Sequence, residues 1–164
     1  MEHRVESNFD FDWRFTLGDV AGAQAPRFND TAWRKLDVPH DWSIEGKYAE
    51  DNPNFAVTAW LPTGIGWYRK RFAVTPEMLR KDVATLFDGV FMDSTTWING
   101  VELGTEPYGY MSFQYDLSQY LHSGTNTMDP PVVSDRRWAI DSTVDPLERG
   151  SRTAGDGAMP KRNR

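Results

Sequence analysis

The fold is decided by a short stretch in the middle of the chain, Thr95-Thr96-Trp97-Ile98-Asn99-Gly100-Val101-Glu102-Leu103. Asn-Gly stands here between two runs of strand-forming residues. Both central residues of a type I′ turn need a positive φ, which asparagine and glycine tolerate better than other residues. The stretch therefore predicts an antiparallel β-hairpin.

Strand patterns continue on both sides of this hairpin. Four further segments read as strands, by alternation or as a short apolar run: 11–17, 66–74, 83–87 and 110–115. Helix signals are limited to single turns at 75–80, where Thr75 is the predicted N-cap, and at 116–121. Many short strands separated by turn residues predict an all-β antiparallel sandwich or jelly roll.

Composition and charge exclude several functional classes. The chain has 164 residues, enough for one domain with a core, and 18 basic against 24 acidic residues give a net charge of −6. An acidic domain repels phosphate backbones, and no run of about 18 apolar residues is present, so we expect neither nucleic acid nor a membrane as a partner. The N-terminal stretch Met1–Glu6 lacks the apolar region of a signal peptide, which predicts a cytoplasmic location.

The chain is uneven, and the break falls near Met128. Of the 7 Trp, 9 Phe and 6 Tyr, all but Trp138 precede residue 129. Residues 129–164 begin Asp129-Pro130-Pro131 and show neither alternation nor a helical period, which predicts a disordered, irregular tail. We therefore expect a domain over residues 1–128 and a sandwich that lacks its last strands.

No catalytic or cofactor motif emerges from the residues. Retaining sugar hydrolysis needs two carboxylates about 5 Å apart, and no spacing of Asp and Glu here fixes such a pair. The sequence has no cysteine, its three histidines show no metal-ligand spacing, and neither a nucleophile elbow nor a dinucleotide loop is present. We therefore predict no catalytic residue, no metal and no cofactor.

The motif Val38-Pro39-His40-Asp41-Trp42 has two readings. His40, Asp41 and Trp42 could form a polar and aromatic cluster that faces a sugar, or a corner in which the tryptophan packs against the edge of the sandwich. The second reading is the more common use of such a motif.

A long polar segment, 48–62, follows this motif. Asn52 and Asn54 in it carry amides that both donate and accept hydrogen bonds, as hydroxyl recognition requires, so they are the candidate substrate-binding residues. A plain solvated loop is the alternative.

The ordered set of motifs resembles the N-terminal sugar-binding domain of glycoside hydrolase family 2, the β-galactosidase, β-glucuronidase and β-mannosidase family, over about residues 8–128. The stretch Pro39-His40-Asp41-Trp42-Ser43-Ile44-Glu45-Gly46 is similar to β-galactosidase-like members in particular. The other segments that carry the resemblance are 11–15, 28–33, Gly64-Ile65-Gly66-Trp67-Tyr68-Arg69-Lys70, 87–90, Trp97-Ile98-Asn99-Gly100, 103–104, 108–110 and 124–126.

The resemblance implies a galactose-binding-like jelly roll that precedes an immunoglobulin-like domain and a TIM barrel. The family's catalytic glutamates belong to the barrel, so the chain alone is predicted to be inactive and to bind β-galactoside-type carbohydrate weakly if at all. In β-galactosidases this domain lends an asparagine to the rim of the active site, and Asn52-Pro53-Asn54-Phe55 is similar to that stretch. The residues expected to serve structure or an interface are His40, Asp41, Trp42, Trp67, Tyr68, Asn99 and Gly100.

Two alternatives to a non-catalytic fragment stay open: a stand-alone carbohydrate-binding module, and an assembly domain without sugar affinity. The tail raises a separate hypothesis. The family continues after Gly124-Thr125-Asn126 with a Val-rich strand and a later Arg-Trp-Tyr stretch, and neither is found in residues 129–164. A frame shift or a mis-predicted gene end would produce such a tail.

Overall fold

The computed structural model describes residues 5–49, 61–134 and 141–147, and nearly all of their regular structure is β-strand. Two short 3-10 turns, Ser43–Glu45 and Met78–Arg80, interrupt the strands, and no helix in the described ranges is long and apolar enough to cross a membrane. The strands are β1 Ser7–Asn8, β2 Trp13–Leu17, β3 Arg34–Leu36, β4 Gly64–Val74, β5 Asp82–Gly89, β6 Ser94–Ile98, β7 Val101–Glu106, β8 Phe113–Asp116, β9 Gly124–Asp129, β10 Pro131–Ser134 and β11 Asp141–Leu147.

The strands form two antiparallel sheets. The smaller sheet has the order β1-β11-β5-β8, and the larger has the order β3-β2-β4-β9-β6-β7, with β10 also paired to β4. Sequence-distant strands thus lie side by side in both sheets, as in a jelly roll. The predicted all-β jelly-roll sandwich is confirmed.

The long strand β4 separates two apolar clusters. Its residues alternate between faces, so Tyr68 joins the main core with Phe87 and Ile98, while Trp67 joins a smaller cluster with Trp33 and Ala23. The smaller cluster forms because the segment before β3 folds over the outer face of the larger sheet. The predicted alternation of 66–74 is confirmed.

The predicted hairpin is present, and its turn has the expected backbone. Asn99 has φ 50° and Gly100 has φ 82°, and the turn joins β6 to β7. A short turn is present within the predicted segment 75–80, as Met78–Arg80, but its N-cap is Glu77 and not the predicted Thr75, whose Oγ1 accepts a hydrogen bond from the Met78 amide at 3.3 Å.

The expectation that the strands end at Met128 is wrong. β9 continues to Asp129, β10 extends the ladder along β4 in the same register, and β11 lies between β1 and β5. Pro130 lies opposite Tyr68, and its carbonyl accepts from the Tyr68 amide at 3.3 Å, so proline removes one donor without ending the pairing. The apolar alternation that the sequence lacks is not required, because ladder hydrogen bonds use the backbone alone.

Candidate functional site

The candidate site lies at the end of the sandwich where β4 begins. The described chain stops at Ala49, resumes at Leu61 and enters β4 at Gly64, which pairs with Ser134 at the end of β10. The 3-10 turn Ser43–Glu45 lies at the same end, since a Cβ built on Gly64 would lie 3.8 Å from the Trp42 ring. Loops at one end of a β-scaffold are the usual position of binding residues.

Four side chains from three parts of the chain meet here; we call Arg34, His40, Glu45 and Tyr68 the His40 cluster. His40 Nδ1 lies 2.9 Å from Tyr68 Oη, and its Nε2 lies 3.2 Å from Glu45 Oε1. Arg34 Nη2 donates to both carboxylate oxygens of Glu45, at 2.8 and 3.1 Å. β3, β4 and the 3-10 turn are therefore joined through one imidazole.

Burial sets the protonation states in the His40 cluster. Desolvation lowers the pKa of His40 and outweighs the attraction of Glu45, so the imidazole is neutral at pH 7. Desolvation raises the pKa of Tyr68 well above its ordinary value, so its hydroxyl stays protonated. Partial burial opposes ionisation of Glu45, but hydrogen bonds from Arg34 and His40 hold the pKa of its carboxyl below the ordinary value.

The residues after His40 form a tight corner. Asp41 Oδ1 accepts from the Ser43 amide at 2.9 Å and from its hydroxyl at 2.7 Å, which fixes the start of the 3-10 turn. Trp42 is buried and packs on Gly66: a Cβ there would lie 2.9 Å from Trp42 Nε1 and 2.9 Å from the Phe15 ring. The geometry of Trp42 is that of a packed corner, and the His40 side chain beside it is 11% exposed.

Of the other predicted residues, Trp67, Asn99 and Gly100 do not join the His40 cluster. Trp67 is buried on the opposite face of β4, where its ring stacks on Trp97 at 5.7 Å. Asn99 and Gly100 form the hairpin turn, where Asn99 bonds to the neighbouring strand β9. Asn52 and Asn54 lie outside the described residues, so their proposed role in substrate binding stays a prediction.

The sequence analysis missed a buried ion network on the outer face of the larger sheet. Arg69 is fully buried and donates to Asp129 and to the carbonyls of Ala23, Ala25 and Phe28. Burial raises the pKa of Asp129 to about 6, although Arg69 opposes that shift. The only sequence signal was charge within the alternating segment 66–74, which does not reveal its partners.

The second carboxylate of this network, Asp30, is 1% exposed and lies near three guanidinium groups, 3.7 Å from Arg14, 3.9 Å from Arg69 and 3.1 Å from Arg71. Because Asp30 and Asp129 are both buried, they are not placed to act on a substrate. No group of acidic or histidine side chains suited to a metal ion exists in the described ranges.

Comparisons with known proteins agree with the all-β fold. The family model of the glycosyl hydrolases family 2 sugar binding domain matches residues 7–147. A β-galactosidase of Bacteroides ovatus is 52% identical over 118 residues, which are 72% of this chain and 14% of the relative. A β-galactosidase of Photobacterium profundum is 33% identical over 158 residues, which are 87% of this chain and 15% of the relative.

A crystal structure of a β-glycosidase from Bacteroides vulgatus superposes with a TM-score of 0.81 at 39% identity, over 85% of this chain and 20% of that chain. The chain therefore spans about one fifth or less of the length of these relatives.

Proposed function

Because the chain belongs to the family 2 glycosyl hydrolase sugar-binding domains, we propose that it acts as the non-catalytic N-terminal domain of a β-galactosidase-like retaining hydrolase. In that role it shapes the rim of the active site and packs on the catalytic barrel, with an immunoglobulin-like domain between the two in the chain. The carbohydrate that the parent protein cleaves is a β-galactoside in this proposal.

The match of residues 7–147 to the family model carries the proposal, together with relatives of whose length this chain covers only 14% and 20%. The His40 cluster supports the assignment of the rim to the end where β4 begins. It ties the turn before residues 50–60 to the middle of the larger sheet through Tyr68, so the chain enters and leaves that segment from fixed positions.

A turnover assay tests the absence of catalysis. We expect no hydrolysis of a chromogenic β-galactoside by the purified 164-residue chain, because the two catalytic carboxylates of the family's retaining mechanism belong to the barrel and not to this domain. The B. ovatus β-galactosidase at equal molarity is the positive control. Measurable turnover by this chain would overturn the proposal.

A domain exchange tests whether this chain can act as the N-terminal domain of an active hydrolase. Residues 7–147 replace the matching domain of the B. ovatus enzyme, and a second version carries His40→Ala. We expect the first to hydrolyse the β-galactoside and the second to show a raised KM with a smaller change in kcat, since the cluster positions the rim and not the reacting atoms. An exchanged enzyme that is folded and assembled but inactive would contradict the proposal.

Calorimetric titration with galactose and lactose separates this role from that of a stand-alone binding module. We expect no measurable heat of binding to the isolated chain. Saturable binding of either neutral sugar would favour the module.

A further inference from the structure

A cleft lined mainly by polar residue types lies on the outer face of the larger sheet, away from the His40 cluster. It has a volume of about 530 Å³ and runs between the segment 26–31 and the ends of β4 and β9. Ligand pockets commonly have volumes of about 300–1,000 Å³. Arg71 in its wall lies seven residues along β4 from Gly64, or about 23 Å at the usual rise of a strand.

The cleft is cationic on an acidic protein. Arg27 and Arg71 line it, whereas the whole chain carries a net charge of −6. The one carboxylate in its lining, Asp30, is 1% exposed and already lies near Arg14, Arg69 and Arg71. The charge that a ligand meets is therefore that of the two arginines.

Arg71 has donors to spare. Its Nη2 lies 3.1 Å from Asp30 Oδ1 and 3.4 Å from the Phe28 carbonyl, while its Nη1 and Nε donate to no atom of the described residues. The side chain is 38% exposed. Asp30 and the Phe28 carbonyl thus occupy Nη2, and Nη1 and Nε remain as separate charged donors for a carboxylate.

Hydroxyl-binding groups lie beside this arginine. Thr127 is directly opposite Arg71 in the β4–β9 ladder and shares a face with Thr125, two residues away. Thr127 is 5% exposed and its Oγ1 is buried, whereas Thr125 is exposed and lines the cleft, so Thr125 is the threonine that a ligand reaches. Asn29 and His122 add an amide and an imidazole. These groups both donate and accept, as recognition of sugar hydroxyls requires.

We infer that this cleft is a second carbohydrate site, separate from the rim at the start of β4, and that it binds a saccharide that carries a carboxylate. Nη1 and Nε of Arg71 and the exposed Arg27 bind the carboxylate, and Thr125, Asn29 and His122 bind hydroxyls of the same sugar. The site goes beyond the proposed role of the domain, because it needs neither the barrel nor the segment 50–60.

Two sugars that differ only in the carboxylate provide the test. The 164-residue chain, labelled with ¹⁵N, is titrated separately with methyl β-D-glucuronide and methyl β-D-glucoside and followed by amide NMR shifts. We expect saturable shifts at residues 26–31, 99 and 122–127 with the glucuronide, and at least about tenfold weaker binding of the glucoside, because the charge-assisted pair is lost. Equal binding of both sugars, no binding, or shifts confined to the other end of β4 would overturn the inference.

Three arginine-to-glutamine variants, each of which loses one positive charge, locate the site. Arg71→Gln and Arg27→Gln are each expected to weaken glucuronide binding, the first by about tenfold. Arg80→Gln, on an exposed turn away from the cleft, serves as the control and should bind like the parent chain. Arg27 is exposed and forms no described side-chain bond, so its loss cannot be attributed to unfolding. Equal affinity of Arg27→Gln, Arg71→Gln and Arg80→Gln would contradict the site, as would identical shifts from acetate at the same concentration.

Discussion

The side-chain amide of Asn99 donates to Oδ1 of Asn126 at 2.7 Å. The β6–β7 turn is therefore bonded to β9, which lies beside β6 on the side away from β7. Asn99 also donates to the Tyr120 carbonyl at 2.9 Å and accepts from the Thr127 amide at 2.9 Å. One side chain thus ties the β6–β7 turn, the turn after β8 and the start of β9 together. Asn99 therefore stabilises the contact between these three segments as well as the turn itself.

Asn99→Ala should lower the free energy of unfolding by about 3 kcal/mol, because three hydrogen bonds are lost and alanine tolerates the positive φ less well. Urea denaturation measures the change. Asn8→Ala is the control: Asn8 is exposed and accepts a bond from the Asp10 amide only two residues away, so its loss should cost less than about 1 kcal/mol. Equal effects of the two substitutions would contradict this role of Asn99.

Gly66→Ala should destabilise the domain by about 1–3 kcal/mol, because the added Cβ would meet Phe15 and Trp42 in a packed core. Gly89→Ala adds the same methyl group where its nearest neighbour, the Gly109 carbonyl oxygen, is 3.5 Å away. Thermal melts of the two variants give the comparison. If Gly89→Ala lowers the melting temperature as much as Gly66→Ala, the destabilisation by Gly66→Ala does not come from the close packing of Trp42 on β4.

His40 should make stability depend on pH. Its pKa is lower in the folded chain than the unfolded value of 6.5, so its contribution is fully present above pH 6.5 and is lost as the pH falls through the folded pKa. Asp129 changes stability with pH in the opposite direction. Its pKa is raised to about 6, so its contribution to the stability of the fold decreases as the pH rises from about 4 to 6.

The difference between the parent chain and His40→Gln removes the contribution of Asp129, which titrates in both. Urea denaturation at pH 5 and pH 7.5 should show a smaller loss of stability on acidification for His40→Gln. A loss equal to that of the parent chain would show that the imidazole is not desolvated.

Arg69→Met should cost about 3–5 kcal/mol, because it leaves the buried carboxylate of Asp129 without its partner. Arg69→Met combined with Asp129→Leu should recover part of that loss, because no unpaired charge then remains at position 129. A double-mutant cycle by urea denaturation measures the recovery. A double variant as unstable as the sum of the two single variants would mean that the pair contributes no coupling energy.

The parts of the fold that the sequence predicts are those with local causes. Asn99-Gly100 specifies its turn through backbone φ, and the alternation of Tyr68 with Trp67 assigns the two faces of β4 before any partner strand is known. The end of the fold was missed for the opposite reason: β10 is defined by its pairing with β4, and Pro130-Pro131 argues against a strand when it is read locally.

The candidate site was likewise predicted only where its causes are local in the sequence. The motif at His40 was recognised from its composition, but Arg34 and Glu45 were not recognised as its partners, because their contact with the imidazole depends on how β3 approaches the turn. The pairing of Arg69 with Asp129 spans sixty positions, and no spacing rule reaches that far.

The ladder between β4 and the segment 124–134 also constrains the order in which the chain can fold. It pairs residues that are separated by 50 positions at one end, Val74 with Gly124, and by 70 at the other, Gly64 with Ser134. During synthesis β4 can pair with β2 at once, but its other edge stays open until β9 and β10 have been made. Such non-local pairing is slow, and an open edge invites pairing with other chains. Between the synthesis of Val74 and that of Ser134, a growing chain therefore exposes an eleven-residue edge strand whose correct partner does not yet exist.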